Sequence, residues 1–169
     1  MNALIEPRST NEGALGPLTR AKALIEAHDF DAAALLYLEA LEDDLAPLLR
    51  GEVLTNLGAA LCMSAQGQPG PAALARLEHA RSMLVDSLPL RSRINAPEAW
   101  ATTRANLALV YRARYEITGN QDDLLSAHMA LDDTEAALRV EGASALRDWI
   151  RVIRDELIEL RDRRSKRRR

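Results

Sequence analysis

The clearest hydrophobic stripe lies near the C-terminal end, where Leu146, Trp149, Ile150, Ile153, Leu157 and Leu160 recur at i, i+3 and i+4 spacing. The positions between them are largely charged, so the spacing predicts a helix over 143–163 with one buried and one wet face. The same period predicts six more helices, over 17–27, 30–44, 47–65, 71–87, 97–116 and 121–140. Pro17, Pro47, Pro71 and Pro97 each stand just ahead of a periodic stretch. There a missing N–H and a preset φ suit the first turn of a helix. Gly67-Gln68-Pro69-Gly70 and Gly119-Asn120 read as loops, Pro89 as the end of a segment, and Gly142 as a helix break. Asp29 and Asn120 offer N-cap oxygens, with carboxylates following near the positive end of the helix dipole. Residues 1–15 carry no convincing period and are expected to form a mobile arm.

Short loops between consecutive helices make neighbours antiparallel, and three such pairs plus one leftover helix suggest a repeat array. The second helix of each pair carries residues at the same spacing: Ala33, Tyr37 and Ala40; Ala73, Leu77 and Ala80; Ala127, Leu131 and Thr134. On the first helices Leu57-Gly58 with Leu61 matches Leu107-Ala108 with Tyr111. Small residues at fixed spacing let two helix axes approach closely, which is why a glycine is tolerated at position 58. The expectation is an all-α fold of about seven helices, stacked as antiparallel hairpins. Residues 1–15 form the arm, 16–140 three hairpins, 141–163 a capping helix and 164–169 a basic tail.

Composition agrees with helix. Alanine and leucine supply 57 of 169 residues and valine plus isoleucine only 12, a balance that favours helix over strand. Aromatics are 4% of the chain, so small residues must close most of the core, with Tyr37, Tyr111 and Trp149 as the larger fillers. Cys62 is the single cysteine, which excludes an intramolecular disulfide and a cysteine-based metal cluster. The first ten residues lack a basic region followed by an apolar stretch, and no run approaches the ~18 apolar residues of a spanning helix. A cytoplasmic protein without a membrane span is the expectation.

The pattern of pairs resembles the tetratricopeptide repeat family. The stretches that carry the resemblance are Asp29 to Leu41, Asn56-Leu57-Gly58-Ala59-Ala60-Leu61 and Asn106-Leu107-Ala108-Leu109-Val110-Tyr111. It covers roughly residues 17–140, with 143–163 in the place of a terminal solvating helix. Arg20 departs from it at a large apolar position, Trp100 sits one turn early, and Gly67–Gly70 and Ile117–Asp122 lengthen two loops. The longer repeats are similar to those of kinesin light chain and bacterial peptide-sensing regulators. That resemblance implies a short right-handed solenoid whose first helices line a concave, peptide-binding face.

Candidate chemistry is sparse. His28, His79 and His128 fall in three different hairpins, and no metal-ligand or phosphate-loop spacing occurs, so structural histidines and no cofactor are expected. Cys62 beside Met63 reads as a small hydrophobe rather than a nucleophile. The carboxylate clusters Glu42-Asp43-Asp44, Asp122-Asp123 and Asp132-Asp133 sit at helix ends or presumed outer faces, and no enzyme is expected. Asn56 and Asn106 occupy the same repeat position, and each amide offers a donor and an acceptor. In the resembled relatives asparagines there clamp peptide backbone; capping a neighbouring helix or facing water are the alternatives. By repeat register Lys22, Ile25, Glu26, Glu52, Thr55, Ala59, Cys62, Met63, Thr102, Ala105, Leu109 and Arg112 join them on the groove, with Lys22 or Arg112 positioned to meet an acidic side chain.

Net charge is −3, but its distribution matters more. Residues 161–169 hold seven cations and one carboxylate, +6, which leaves −9 on the other 160 residues. Arg163, Arg164, Lys166, Arg167, Arg168 and Arg169 form the basic tail. Without interleaved aromatics such a run binds phosphate backbones non-specifically. A protein or peptide partner in the groove is therefore the first expectation. An acidic partner or nucleic acid on the tail, and a homo-oligomer joined through the last helix or the tail, stay open beside it.

Overall fold

A computed structural model describes residues 10–138 and 143–167, and everything regular in it is helical. The helices are α1 (Thr10–Glu26), α2 (Phe30–Ala40), α3 (Pro47–Ala65), α4 (Gly70–Ser87), α5 (Pro97–Thr118), α6 (Gln121–Ala130), α7 (Thr134–Ala137) and α8 (Ser144–Arg167). These are the seven expected helices, with the one-turn α7 split from the sixth. Asp29 caps α2 by accepting from the Ala32 N–H, and Asn120 caps α6 by accepting from the Asp122 N–H. Gly119, at φ 67°, ends α5 in the left-handed conformation that glycine adopts without penalty.

Four boundaries differ from the expectation. Helix α1 begins at Thr10 and runs through Pro17, so residues 10–15 are helical rather than an arm; positions 1–9 lie outside the described residues. A residue before proline normally avoids the helical region because its Cβ meets the proline ring, and Gly16 has no Cβ. Helix α2 stops at Ala40, ahead of Glu42-Asp43-Asp44, whose charges would oppose the negative end of the dipole. The stretch 121–140 breaks at Leu131–Asp133, where Asp133 takes φ 63°, and the carbonyl of Leu131 is taken up by the Thr134 hydroxyl at 2.7 Å and by Arg154 at 3.0 Å. The expected break at Gly142 lies outside the described residues. Helix α8 continues to Arg167, so positions 164–167 of the expected tail are helical.

Consecutive helices pack on one another from α1 to α6, α3 also packs on α5, and α8 packs on α5, α6 and α7. All nine residues of the repeated triplets, on α2, on α4 and along the stretch from α6 through Leu131 to α7, are buried. On the first helices Leu57, Gly58 and Leu61 are buried, as are their counterparts Leu107 and Ala108, while Tyr111 is half-buried. The α3–α4 approach is tight: a Cβ at position 58 would stand 2.6 Å from Leu84 Cγ and 3.1 Å from the Ala80 carbonyl oxygen. Trp149 is 37% exposed and is not a core filler, because Leu146, Ile150, Ile153 and Leu157 already occupy the face of α8 turned to the core. Trp100 serves instead, half-buried with Arg93 and Arg104 against its ring at 5.6 and 5.2 Å from its centroid.

Polar groups tie the layers together. Thr55 on α3, Ser87 at the end of α4 and Thr103 on α5 meet at 2.8 Å in the core. Their three protons serve the carbonyls of Gly51 and Ala99 as well as one another. Near the surface Arg76 reaches Asp31 and Ser64, and Arg114 bridges Glu78 and Asp123, so α2, α3, α4, α5 and α6 are cross-linked in sequence.

Candidate functional site

Burial of α3 fixes what its remaining surface can do. The helix is covered by α2, α4 and α5, and its buried residues include Gly51, Val53, Leu54, Thr55, Leu57, Gly58, Ala60, Leu61, Cys62 and Ala65. Beyond the exposed first turn, what stays open is the narrow stripe Glu52, Asn56, Ala59 and Met63, spaced by four, three and four residues, with Ser64 beside its end. Beside it α1 presents Lys22, Ile25 and Glu26, and α2 contributes Tyr37 from below. Together Lys22, Ile25, Glu26, Tyr37, Asn56 and Ala59 line a concavity of about 290 Å³.

The chemistry of this concavity is an apolar floor with a polar rim. The Tyr37 ring and the Ile25 and Ala59 side chains supply the floor. Burial, and then the Glu52 carboxylate, push the Tyr37 phenol above its ordinary range, so it stays protonated. Lys22 Nζ donates to Glu52 at 3.1 Å. The Asn56 amide is half-buried and makes no side-chain hydrogen bond among the described residues, as does that of Asn106 on α5. Each amide is open to a ligand.

Two further concavities follow along the same run of helices. One, about 310 Å³, is enclosed by α3, α4 and α5 and includes Cys62, Ala65, Ala73, Ala113, Glu116 and Ile117. Burial raises the Cys62 thiol to about 11, against a smaller opposing effect of Arg112, so it is protonated and inert. The other, about 200 Å³, lies between α5 and α8 and is lined by Arg112, Glu116, Glu156, Glu159, Leu160 and Arg163. Among the described residues no three His, Cys, Asp or Glu side chains stand close enough to hold a metal ion. Nor is any helix there long and apolar enough to cross a membrane.

Of the residues expected on the groove, the structure brings Lys22 and Asn56 together and leaves Asn106, Met63 and Thr102 at the surface of their helices. Met63 is exposed, with its sulfur accepting from Gln66 at 3.8 Å; Thr102 is half-buried and donates to the Glu98 carbonyl at 2.8 Å. Leu109 is half-buried against the core. Thr55, Cys62 and Ala105 are not groove residues: all three are buried, Thr55 committed to the hydroxyl cluster, because α3 and α5 are covered on more sides than a two-faced helix. Arg112 sits in the α5–α8 concavity, held by Glu116 at 3.6 Å and by Glu156, so neither it nor Lys22 is a free cation awaiting an acidic side chain. In the basic tail Arg163 pairs with Glu159 at 2.8 Å; Arg164, Lys166 and Arg167 lie on the backbone of α8, and Arg168 and Arg169 lie outside the described residues.

Sequence reasoning missed Tyr37 as a wall of the concavity, since its place in a core triplet accounted for it fully. It also missed Glu156 and Glu159, which directly precede the stripe residues Leu157 and Leu160 and read as part of the charged face of α8. Compared with family models, with curated proteins and with solved structures, the chain matches none.

Proposed function

We propose that the protein is a non-enzymatic interaction module of the tetratricopeptide type, an adaptor that takes a peptide or protein segment on the face formed by α1, α3 and α5. The observation that supports this best is the meeting of Lys22, Asn56 and an apolar floor of Ile25, Tyr37 and Ala59 in one concavity drawn from three helices. A side chain of the ligand fills the floor, and the Asn56 amide, donor and acceptor in one group, pairs with the polar groups alongside it. Asn106 offers the same chemistry one repeat further on. Backbone recognition by amides is tolerant of sequence, so the floor and the surrounding charges set which segments are preferred.

The test is to select peptides from a random displayed library on the immobilised full chain and to titrate a selected peptide against isotope-labelled protein. Amide shifts should concentrate on Lys22, Ile25, Glu26, Asn56 and Ala59. Shifts concentrated on the opposite side, around Leu35 and Ala75, would remove the concavity from the account.

A further inference from the structure

The charges lining the concavity bear on which segment enters it. Along α1, α3, α5 and α8 the cations of the two outer concavities are already taken: Lys22 by Glu52, Arg112 by Glu116 and Glu156, Arg163 by Glu159. Glu26, by contrast, lines the concavity and forms no ion pair among the described residues. A face whose cations are committed and whose carboxylates are in surplus selects a cationic ligand, the opposite of what Lys22 and Arg112 suggest when read alone.

The chain carries such a ligand. Residues 161–169 bear +6 and the rest of the chain −9. Helix α8 is parallel to α5, since both run against the stretch from α6 to α7: Arg104 reaches the Met129 carbonyl and Arg114 reaches Asp123, while Arg151 pairs with Glu135, Arg154 reaches the Leu131 carbonyl and Arg161 acts on His128. Arg112 pairs with Glu156; from there α5 has six residues left to Thr118 and α8 has eleven left to Arg167. The basic end therefore overhangs its neighbour by about five residues, ~7 Å of helix. Through Arg167 this end belongs to a helix that packs on α5, α6 and α7, so α5 stands between it and the α1–α3 concavity of its own molecule.

We propose that the arginine-rich end of α8 from a second copy of the chain occupies the α1–α3 concavity. Arginine stems lie over Tyr37, Ile25 and Ala59, guanidinium groups meet Glu26 and Glu52, and the Asn56 carbonyl accepts a further N–H. The proposal rests on the peptide-site reading of that concavity. The contact is small and charge-driven, so it is weak and salt-sensitive.

Mixing two full-length variants tests it. One has Arg164, Lys166, Arg167, Arg168 and Arg169 all replaced by serine; the other carries Glu26→Gln and Asn56→Ala. Glu26 and Asn56 lie outside the buried core, and unchanged urea midpoints confirm that both variants fold. By sedimentation at low salt the wild type should exceed its 18.6 kDa monomer mass and return to it at high salt. Each variant alone should stay monomeric, and an equimolar mixture should form a one-to-one complex. A mixture that stays monomeric overturns the proposal, as does self-association that persists in the serine variant. Retention on heparin that is lost with the serine variant, without a mixed complex, assigns the basic end to polyanions instead. If the mixture stays monomeric while library-selected peptides still depend on Asn56, the second-copy occupant falls and the peptide site stands. If those peptides ignore Asn56 as well, both fall.

Discussion

Leu84 occupies the space that a side chain at position 58 would need, with its Cγ 2.6 Å from where the Cβ would stand. Gly58→Ala therefore sets two effects against each other. Alanine favours an interior helical position over glycine by about 1 kcal/mol. Overpacking a core contact that cannot swing aside costs about 1–3 kcal/mol, and Leu84 Cγ is a branch atom in a buried residue with the Ala80 carbonyl oxygen behind it. The clash should win, and urea denaturation should show a net loss of about 1 kcal/mol. Gly67→Ala, where no atom lies within 4 Å, should stay within about 0.5 kcal/mol of wild type.

The hydroxyl cluster gives a second expectation. Thr55→Val keeps the shape of the side chain and removes the hydroxyl that joins α3 to α4 and α5. Ser87 and Thr103 retain the Gly51 and Ala99 carbonyls, so no group is stranded. The loss should be about 1 kcal/mol by urea denaturation. The double variant Thr55→Val with Ser87→Ala should lose less than the sum of the two single changes, because they share one network.

Stability should also fall on mild acidification. Burial, and then the cations Arg161 and Arg154 on α8, hold the His128 imidazole below its ordinary 6.5, against a smaller opposing effect of Asp132. The unfolded chain therefore takes up a proton near pH 6.5 that the folded chain refuses, and folding weakens as pH drops below that value. The urea midpoint should decline from about pH 7.5 to about pH 5.5, and His128→Gln should reduce that decline. An equal decline in the variant would place the effect elsewhere. Glu78 acts in a lower window. Its carboxylate is held below the usual 4.5, chiefly by the hydrogen bond from Arg81, so its contribution is present above 4.5 and fades only in stronger acid.

These effects also mark what could be read from the residues alone. The triplets Ala33, Tyr37, Ala40 and Ala73, Leu77, Ala80 were legible because helical spacing depends only on local geometry, and Asp29 and Asn120 because a cap needs only its own first turn. Pro17 misled: its effect on α1 depends on Gly16 relieving the pre-proline crowding. The break at Asp133 depends on Thr134 and on Arg154, twenty-one residues away, taking over a carbonyl. For the candidate site, the pairing of Lys22 with Asn56 followed from repeat register. The burial of Thr55 did not, since it depends on how many helices cover α3. The partner of Arg112 was equally hidden, because Glu156 lies forty-four residues downstream on a helix whose register against α5 is set by tertiary packing.

The peptide site is tested most directly by the affinity of a library-selected peptide for wild-type protein and for the variant with both Asn56→Ala and Asn106→Ala, compared at one salt concentration. Two lost hydrogen bonds of about 1 kcal/mol each should weaken binding by about 30-fold, with the urea midpoint unchanged. An affinity that changes by less than about 0.5 kcal/mol would contradict recognition through these amides and with it the proposed function.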